Sequence, residues 1–333
     1  MDPVLEAELV KVRERLNSAI VALFGEVRPS ELYDAAMHLI KAGGKRLRPF
    51  LALKACETVG GKEEDVLPFA VALEVLHNFT LIHDDIMDRS RKRRGIPTVH
   101  TIWGVPFGIT AGDLLFAKVY DIALKAVGYG KVPLERAMLA FNSITQAILA
   151  ICQGQAYDLL FEKRKAVSEN EYLELIRLKT ASLYEASAKV GALVGGGKAL
   201  DVQRLAHFGL NLGMAFQIRD DVLGVVGKEE ILRKPVGDDI REGKKTVIVI
   251  HALSVADDEQ RSKILSTLGR REATRGEVED VIELLKALGA IDYANELTKK
   301  FVKKAKAKLK PFPDSASKSV LLKLADFVLT REH

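Results

Sequence analysis

Only two cysteines, Cys56 and Cys152, occur in 333 residues. That scarcity excludes a disulfide framework and a thiolate metal cluster. Both lie in apolar, helical-looking segments, as buried reduced thiols would. Also missing is any uninterrupted apolar stretch of membrane-spanning length. The opening residues, MDPVLEAELVKVRERL, alternate acidic-then-basic in an amphipathic pattern and lack the apolar core of a signal peptide. No P-loop, GxGxxG, HExxH, zinc-finger or RNA-binding signature is present, which removes the usual nucleotide, zinc-hydrolase and nucleic-acid readings. No low-complexity linker divides the chain. The expectation is a cytoplasmic protein without a membrane span and without a nucleic-acid partner.

What remains is the composition of a well-packed globular protein, with 48% hydrophobic and 29% charged residues. Fifty Lys and Arg against 45 Asp and Glu leave a net charge of +5, which suits small anionic ligands or a membrane surface. Length alone suggests about two domains. Apolar residues recur at three- and four-residue spacing almost throughout, as in LPFAVALEVLHNFTLIHDDIMD and EYLELIRLKTASLYEASAKVGALVG. Glycine and proline cluster between such runs, which predicts roughly ten or more helices of ordinary length. KKTVIVIHAL is β-branched, but it lacks alternation and a partner strand, so a buried helix is expected there. The reading is one all-α domain over residues 1–333. Its longest polar, glycine-punctuated stretch, 224–245, has the character of a lid beside a site.

Two aspartate groups stand in these apolar helices, HDDIMD at 83–88 and QIRDDVLG at 217–224. A carboxylate in such surroundings is costly unless a cation or donor faces it. In a helix turning about 100° per residue, Asp84 and Asp88 project from one face a turn apart, with Asp85 beside them. Asp220 and Asp221 lie about one turn beyond Gln217. Either group alone reads as a helix cap or a partner of neighbouring arginines as readily as a metal site, whereas the two together favour the metal site. Oxygen ligands without cysteine favour a hard cation such as Mg²⁺, which binds a few carboxylates together with substrate phosphates. Phosphate-binding cations accompany the aspartates. GGKRLRP places Lys45 and Arg48 in a glycine loop that runs into a helix start, whose N–H groups add to an anion site. Arg93 and Arg94 follow the first aspartates, and Lys179, Lys234 and Lys244 complete the set. Any one of these cations alone would be an ordinary solvated charge.

The combination resembles a family. GGKRLRP, LIHDDIMDRSRKRRGIPTVH, GQAYDLL, LKTASL, FQIRDDVLG and KPVGDDIREGKKT occur in the order and rough spacing of the trans-type isoprenyl diphosphate synthases, most like the archaeal geranylgeranyl diphosphate synthases. The resemblance implies an isoprenoid-synthase helical bundle around a deep apolar cavity, assembled as a homodimer. It implies head-to-tail condensation of an allylic diphosphate with isopentenyl diphosphate, with two or three Mg²⁺ ions per active site. Carried over by motif, Lys45, Arg48, His77 and Arg94 would hold isopentenyl diphosphate. Arg93, Lys179, Thr180, Gln217, Lys234 and Lys244 would surround the allylic diphosphate. Asp84 and Asp88 would bind the metal on one side of that diphosphate and Asp220 on the other, with Asp85, Asp221 and Lys179 in the catalytic set. Many relatives read DDxxD in the second motif, whereas Gly224 stands here where the last aspartate would be. The share of metal binding carried by Asp221 is therefore open.

In these synthases the fourth and fifth positions before the first motif govern product length. Thr80 and Phe79 occupy them, and an aromatic at the fifth alone resembles the archaeal geranylgeranyl type, so a C20 product is expected with C15 as intermediate. A helical wheel turns Phe79 about 140° away from Asp84, so its role rests on the resemblance. A farnesyl/geranylgeranyl bifunctional or longer-chain synthase is the nearest alternative. A class I terpene cyclase would not need Lys45, Arg48 and Arg94, and a non-catalytic partner subunit should have lost one aspartate cluster. His77 in isolation reads as a core histidine, and His83 is expected to bond locally. Gln155 and Asp158 either orient a diphosphate-binding residue or bond across helices. The basic run KKFVKKAKAKLK reads as a solvated helix with one packed stripe, transient contact with anionic lipid being a secondary reading.

Overall fold

The side chain of Asp2 accepts hydrogen bonds from the N–H groups of Val4 and Leu5, and Pro3 fills the first turn, so the amphipathic N-terminal segment starts helix α1 (Pro3–Phe24). Leu5, Leu9, Val12, Leu16, Ile20 and Phe24 form its buried stripe. A computed structural model of the chain describes residues 1–128, 132–227 and 236–331. Helices follow one another throughout these segments, and the only strands among the described residues are a two-residue ribbon, β1 (Lys92–Arg93) against β2 (Ile96–Pro97). The all-α expectation holds.

The chain divides into two compact units. The first comprises residues 1–146, 186–209 and 311–323. It contains α1, α2 (Ser30–Lys41), α3 (Leu47–Thr58), α4 (Glu63–Met87), the ribbon, α5 (Val99–Trp103), α6 (Val105–Gly128) and the start of α7 (Leu134–Lys163). Helix α4 is its axis, packed against α3 and α6, with every residue from Phe69 to Leu76 buried. The second unit comprises residues 147–185, 210–310 and 324–333. Its core is built from α8 (Glu169–Ile176), α10 (Ala199–Val226), α11 (Asp238–Glu242), α12 (Val247–Val255), α13 (Asp258–Thr267), α14 (Arg275–Ala287) and α15 (Ala290–Leu309). Capping boxes at Ser168, Asp257 and Thr274 start α8, α13 and α14. The unit boundaries fall inside α7, α9 (Ser182–Val194), α10 and α16 (Ala316–Thr330), with one at the end of α15, rather than in linkers.

The β-branched KKTVIVIHAL forms α12, as the absence of alternation predicts. It packs against α8, α14 and α15 with Val247, Ile248, Val249 and Ala252 buried, so tertiary burial overrides strand propensity. One expectation needs correction. Cys56 is buried, but Cys152 is exposed, because it lies on the outward stripe of α7 with Leu149 and Gln153. Helices α4 and α7 are long and apolar enough, by length and composition, to cross a membrane, although polar residues interrupt both. In α4 the charge that interrupts the run, Glu74, is paired inside the protein with Arg46 at 2.5 Å.

Candidate active site

A first centre lies in the first unit, around the loop that precedes α3. Gly43 and Gly44 adopt φ of 86° and 148°, conformations that side chains resist, and Arg46 follows at φ 53°. Arg46 points inward rather than to solvent. Its guanidinium binds Glu74 at 2.5 Å, the carbonyl of Ile40 at 2.6 Å and Asn17 Oδ1 at 3.2 Å. Glu74 also accepts from Asn78 at 3.0 Å. This buried pair fixes the loop that carries Lys45 and leads into Arg48 in the first turn of α3, yet sequence reasoning overlooked it. The available signal was Glu74 itself, a lone acid within AVALEVL. Replacing Glu74 with Ala strands the Arg46 charge, so stability should fall by roughly 3–5 kcal/mol in a denaturant titration. The apolar double substitution R46M/E74L should recover most of that loss.

Arg48 lies 3.2 Å from His77 Nε2. Burial, reinforced by Arg48, Arg94, Arg93 and Arg46, holds the His77 pKa well below its usual value. The ring is neutral, so its nitrogen can accept from Arg48. Arg94 donates to the carbonyls of Leu39, at 3.0 Å, and Gly43. A side chain at Gly44 would press on that guanidinium, its Cβ 3.1 Å from Arg94. Arg48, His77, Arg94 and the glycine loop bearing Lys45 are therefore one cationic cluster.

At the end of α4, the N–H of Asp88 donates to the carbonyl of Asp84 at 2.8 Å, confirming the one-turn spacing. Asp85 is buried; its Oδ1 accepts from Arg93 Nε at 2.6 Å, while its Oδ2 has no hydrogen-bond partner among the described residues. Burial lifts its pKa to about 6 against the pull of Arg93. The ribbon turns at Arg94 and Gly95 and returns Arg93 to α4, 3.7 Å from Asp84 as well. Among the described residues no three His, Cys, Asp or Glu side chains converge as a complete metal cage. An all-oxygen pair one turn apart, beside a buried carboxylate oxygen still lacking a donor, fits Mg²⁺, which takes few protein ligands and completes its shell with phosphate and water. His83 does not bond locally; its Nε2 meets the carbonyl of Ile109 on α6 at 3.2 Å. Phe79 stacks edge-on against His83 and lies against Phe116, at centroid distances of 4.9 and 5.5 Å. The Thr80 hydroxyl donates back to the carbonyl of His77 at 2.8 Å.

A second centre lies in the second unit. Lys179 and Thr180 sit in a π-helical turn, Arg177–Ala181, where one extra residue bulges the helix and re-aims its side chains. Gly154 of GQAYDLL makes that bulge possible: a Cβ there would lie 2.3 Å from the Lys179 nitrogen. Asp158, a turn further along α7, holds the Lys179 ammonium at 2.5 Å, a bond across helices. Gln155 Nε2 has no partner among the described residues. Thr180 donates to Gln217 Oε1 at 2.8 Å, and Gln217 Nε2 donates to Asp221 Oδ1 at 2.8 Å. The Tyr172 hydroxyl donates to Asp221 Oδ2 at 2.6 Å. Burial lifts the Asp221 pKa to about 7, Asp239 adding to the shift and the two donors opposing it. Asp220 is half-exposed and pairs with Arg331, whose guanidinium lies over the Phe216 ring at 3.8 Å.

Gly224, the departure in the second motif, has its own reason. A Cβ at this position would stand 2.8 Å from Asp239 Oδ2, so any side chain there would displace the carboxylate of Asp239. Lys244 lies 2.9 Å from Glu242 and 3.9 Å from Asp239. Lys234 and the middle of the 224–245 stretch lie outside the described residues; its flanks are the end of α10 and the short α11. Tyr172, Asp239 and Arg331 were not singled out from sequence. Tyr172 reads there as one more apolar-face residue of α8, and Arg331 lies beyond the motif-bearing region.

A sequence model described as polyprenyl synthetase matches residues 29–285. The geranylgeranyl diphosphate synthase of Methanosarcina mazei is 41% identical over 326 residues, covering 98% of both chains. The geranylfarnesyl diphosphate synthase of Aeropyrum pernix is 39% identical over 312 residues, 92% of this chain and 96% of its own. The crystal structure of geranylgeranyl pyrophosphate synthetase from Pyrococcus horikoshii superposes with a TM-score of 0.92 at 43% identity, covering 98% of this chain and 99% of that one. With the motif residues grouped as above and a family match over most of its length, the chain belongs to the polyprenyl synthetase family.

Proposed function

We propose that this prenyltransferase condenses isopentenyl diphosphate head-to-tail with dimethylallyl, geranyl and farnesyl diphosphates, using Mg²⁺, and releases geranylgeranyl diphosphate. What supports this reading is that the first unit carries the cationic cluster of Arg48, His77, Arg94 and the Lys45 loop, while the second carries its own cations, Lys179 beside Asp158 and Lys244 beside Asp239. One anion site suffices for a terpene cyclase, and two are needed for condensation. Asp84 and Asp88 in the first unit, and Asp220 in the second, are the carboxylates that would hold the metal. Bound Mg²⁺ supplies Lewis-acid withdrawal of charge from the leaving diphosphate. Arg93, Lys179, Lys234 and Lys244 stabilise the charge that develops on its oxygens. The Thr180 and Gln217 dipoles favour the allylic cation, and the 224–245 segment excludes water that would trap it. The alkene of isopentenyl diphosphate attacks, and the departing diphosphate takes the proton.

The whole chain acts as one synthase domain, in the cytoplasm, as a homodimer. Helices α6 and α7 leave Leu124, Met138, Leu149 and Leu160 each more than half exposed, which suits burial against a second copy. Sedimentation at micromolar concentration should give a mass near twice that of the chain.

Incubating the pure protein with labelled isopentenyl diphosphate, each allylic starter and Mg²⁺, then chromatographing the products, tests the activity. A second assay tests the division of the anion sites. Lys45→Ala and Arg48→Ala should raise KM for isopentenyl diphosphate more than for the allylic substrate, and Lys179→Ala should do the reverse. Equal effects on both substrates would mean that the two sites have been interchanged or merged.

A further inference from the structure

We infer that Asp221 is not a metal ligand but, held by Tyr172, is the positioning residue that fixes the side-chain amide of Gln217. The inference rests on the functional reading above and assigns roles within the second centre that the motif leaves open. Both Asp221 oxygens are already engaged, Oδ1 by Gln217 Nε2 at 2.8 Å and Oδ2 by the Tyr172 hydroxyl at 2.6 Å. Asp221 and Tyr172 are 6% and 3% exposed, so neither carboxylate oxygen faces open solvent. Asp220, beside it in the chain, is the opposite case, with its side chain 47% exposed and paired with Arg331.

The chemistry of the donors fixes a direction along the network. Facing two donors, Asp221 in its ionised form can only accept, so it selects the NH₂ end of Gln217 and turns Oε1 the other way. Oε1 then accepts from the Thr180 hydroxyl at 2.8 Å, and Thr180 presents its own oxygen lone pairs on the far side. Without Asp221 the amide has no reason to prefer this orientation over its flip, and Thr180 would face either a donor or an acceptor. Tyr172 supplies the second donor that makes the buried carboxylate tolerable, and α8 carries it into the core formed by Ile218, Val222 and Val247. Four side chains thus convert one buried charge into an oriented pair of dipoles at Thr180 and Gln217. An asparagine at 221 has nearly the same shape but offers a donor as readily as an acceptor, so it would lose the direction and keep the packing.

Tyr172→Phe and Asp221→Asn in the full-length protein test this. Steady-state kinetics with Mg²⁺ should show kcat lowered on the order of 10²-fold in each, the scale of a misplaced reactive group. KM for isopentenyl diphosphate should stay within about twofold. The double variant should lose little more than either single one, because both act through one amide. Calorimetric titration of Mg²⁺ with inorganic pyrophosphate should leave the metal affinity of Asp221→Asn near wild type while that of Asp220→Asn falls at least tenfold. If Asp221→Asn loses metal affinity as Asp220→Asn does, or if the kinetic losses multiply, the positioning role is overturned and the synthase reading stands. If Asp220→Asn also binds metal normally and the wild type forms no prenyl product, the synthase reading fails and this inference with it.

Discussion

Asp84→Ala, Asp88→Ala and Asp220→Ala should each lower kcat by roughly two orders of magnitude or more, the scale on which groups stabilising transition-state charge act. EDTA should abolish turnover of the wild type, and added Mg²⁺ should restore it. The expectation follows from where these carboxylates stand. Asp84 and Asp88 sit a turn apart at the end of α4, and Asp220 is half-exposed, so each can reach a cation shared with a substrate phosphate. Asp85 differs: it is buried against Arg93, and its removal would strand that arginine as well as leave the centre short of charge. Asp85→Ala should therefore lose stability along with activity, whereas Asp84→Ala should melt close to wild type. Full activity in Asp84→Ala would falsify the metal assignment.

Much of this was legible in the chain because helical periodicity is a local property. The Asp84–Asp88 spacing, the burial of α12 despite its valines and isoleucines, and the amphipathic start of α1 all follow from residues near one another in sequence. What escaped was set by distant partners. Arg46 looks like any other loop cation until Glu74, 28 residues on, is placed beside it. His83 reads as bonding to its own helix, yet it meets the carbonyl of Ile109 on α6. Cys152 sits in an apolar run whose buried stripe passes on the other side of α7. Tyr172 and Asp221 are 49 residues apart, and their hydrogen bond, with burial, is what distinguishes Asp221 from its neighbour Asp220. The π-turn at Lys179 is likewise invisible to a 3.6-residue period, although Gly154 hints that some backbone must come close.

Product length is where a single side chain should change the outcome most visibly: Phe79→Ala should extend the C20 product to C25 or longer, and Thr80→Phe should shorten it toward C15. The growing chain has to run from the diphosphate along the apolar flank of α4, and Thr80, one turn before Asp84, is small enough to let it pass. Phe79 points elsewhere on the helix wheel, and its ring lies between His83 and Phe116. Phe116 in turn meets Tyr120, whose hydroxyl lies 3.3 Å from Thr145 on α7, so Phe79 is the first of a row of aromatic side chains rather than an isolated plug. Truncating it removes a whole ring that the small neighbour Thr80 cannot replace, and Phe116 can then tilt into the space or leave it to the prenyl chain. Radio-chromatography of the dephosphorylated products reads the result directly. If Phe79→Ala still stops cleanly at C20, Phe116 has become the floor. The double variant Phe79→Ala/Phe116→Ala should then release the longer product, and failure of both to lengthen it would place the stop away from this row altogether.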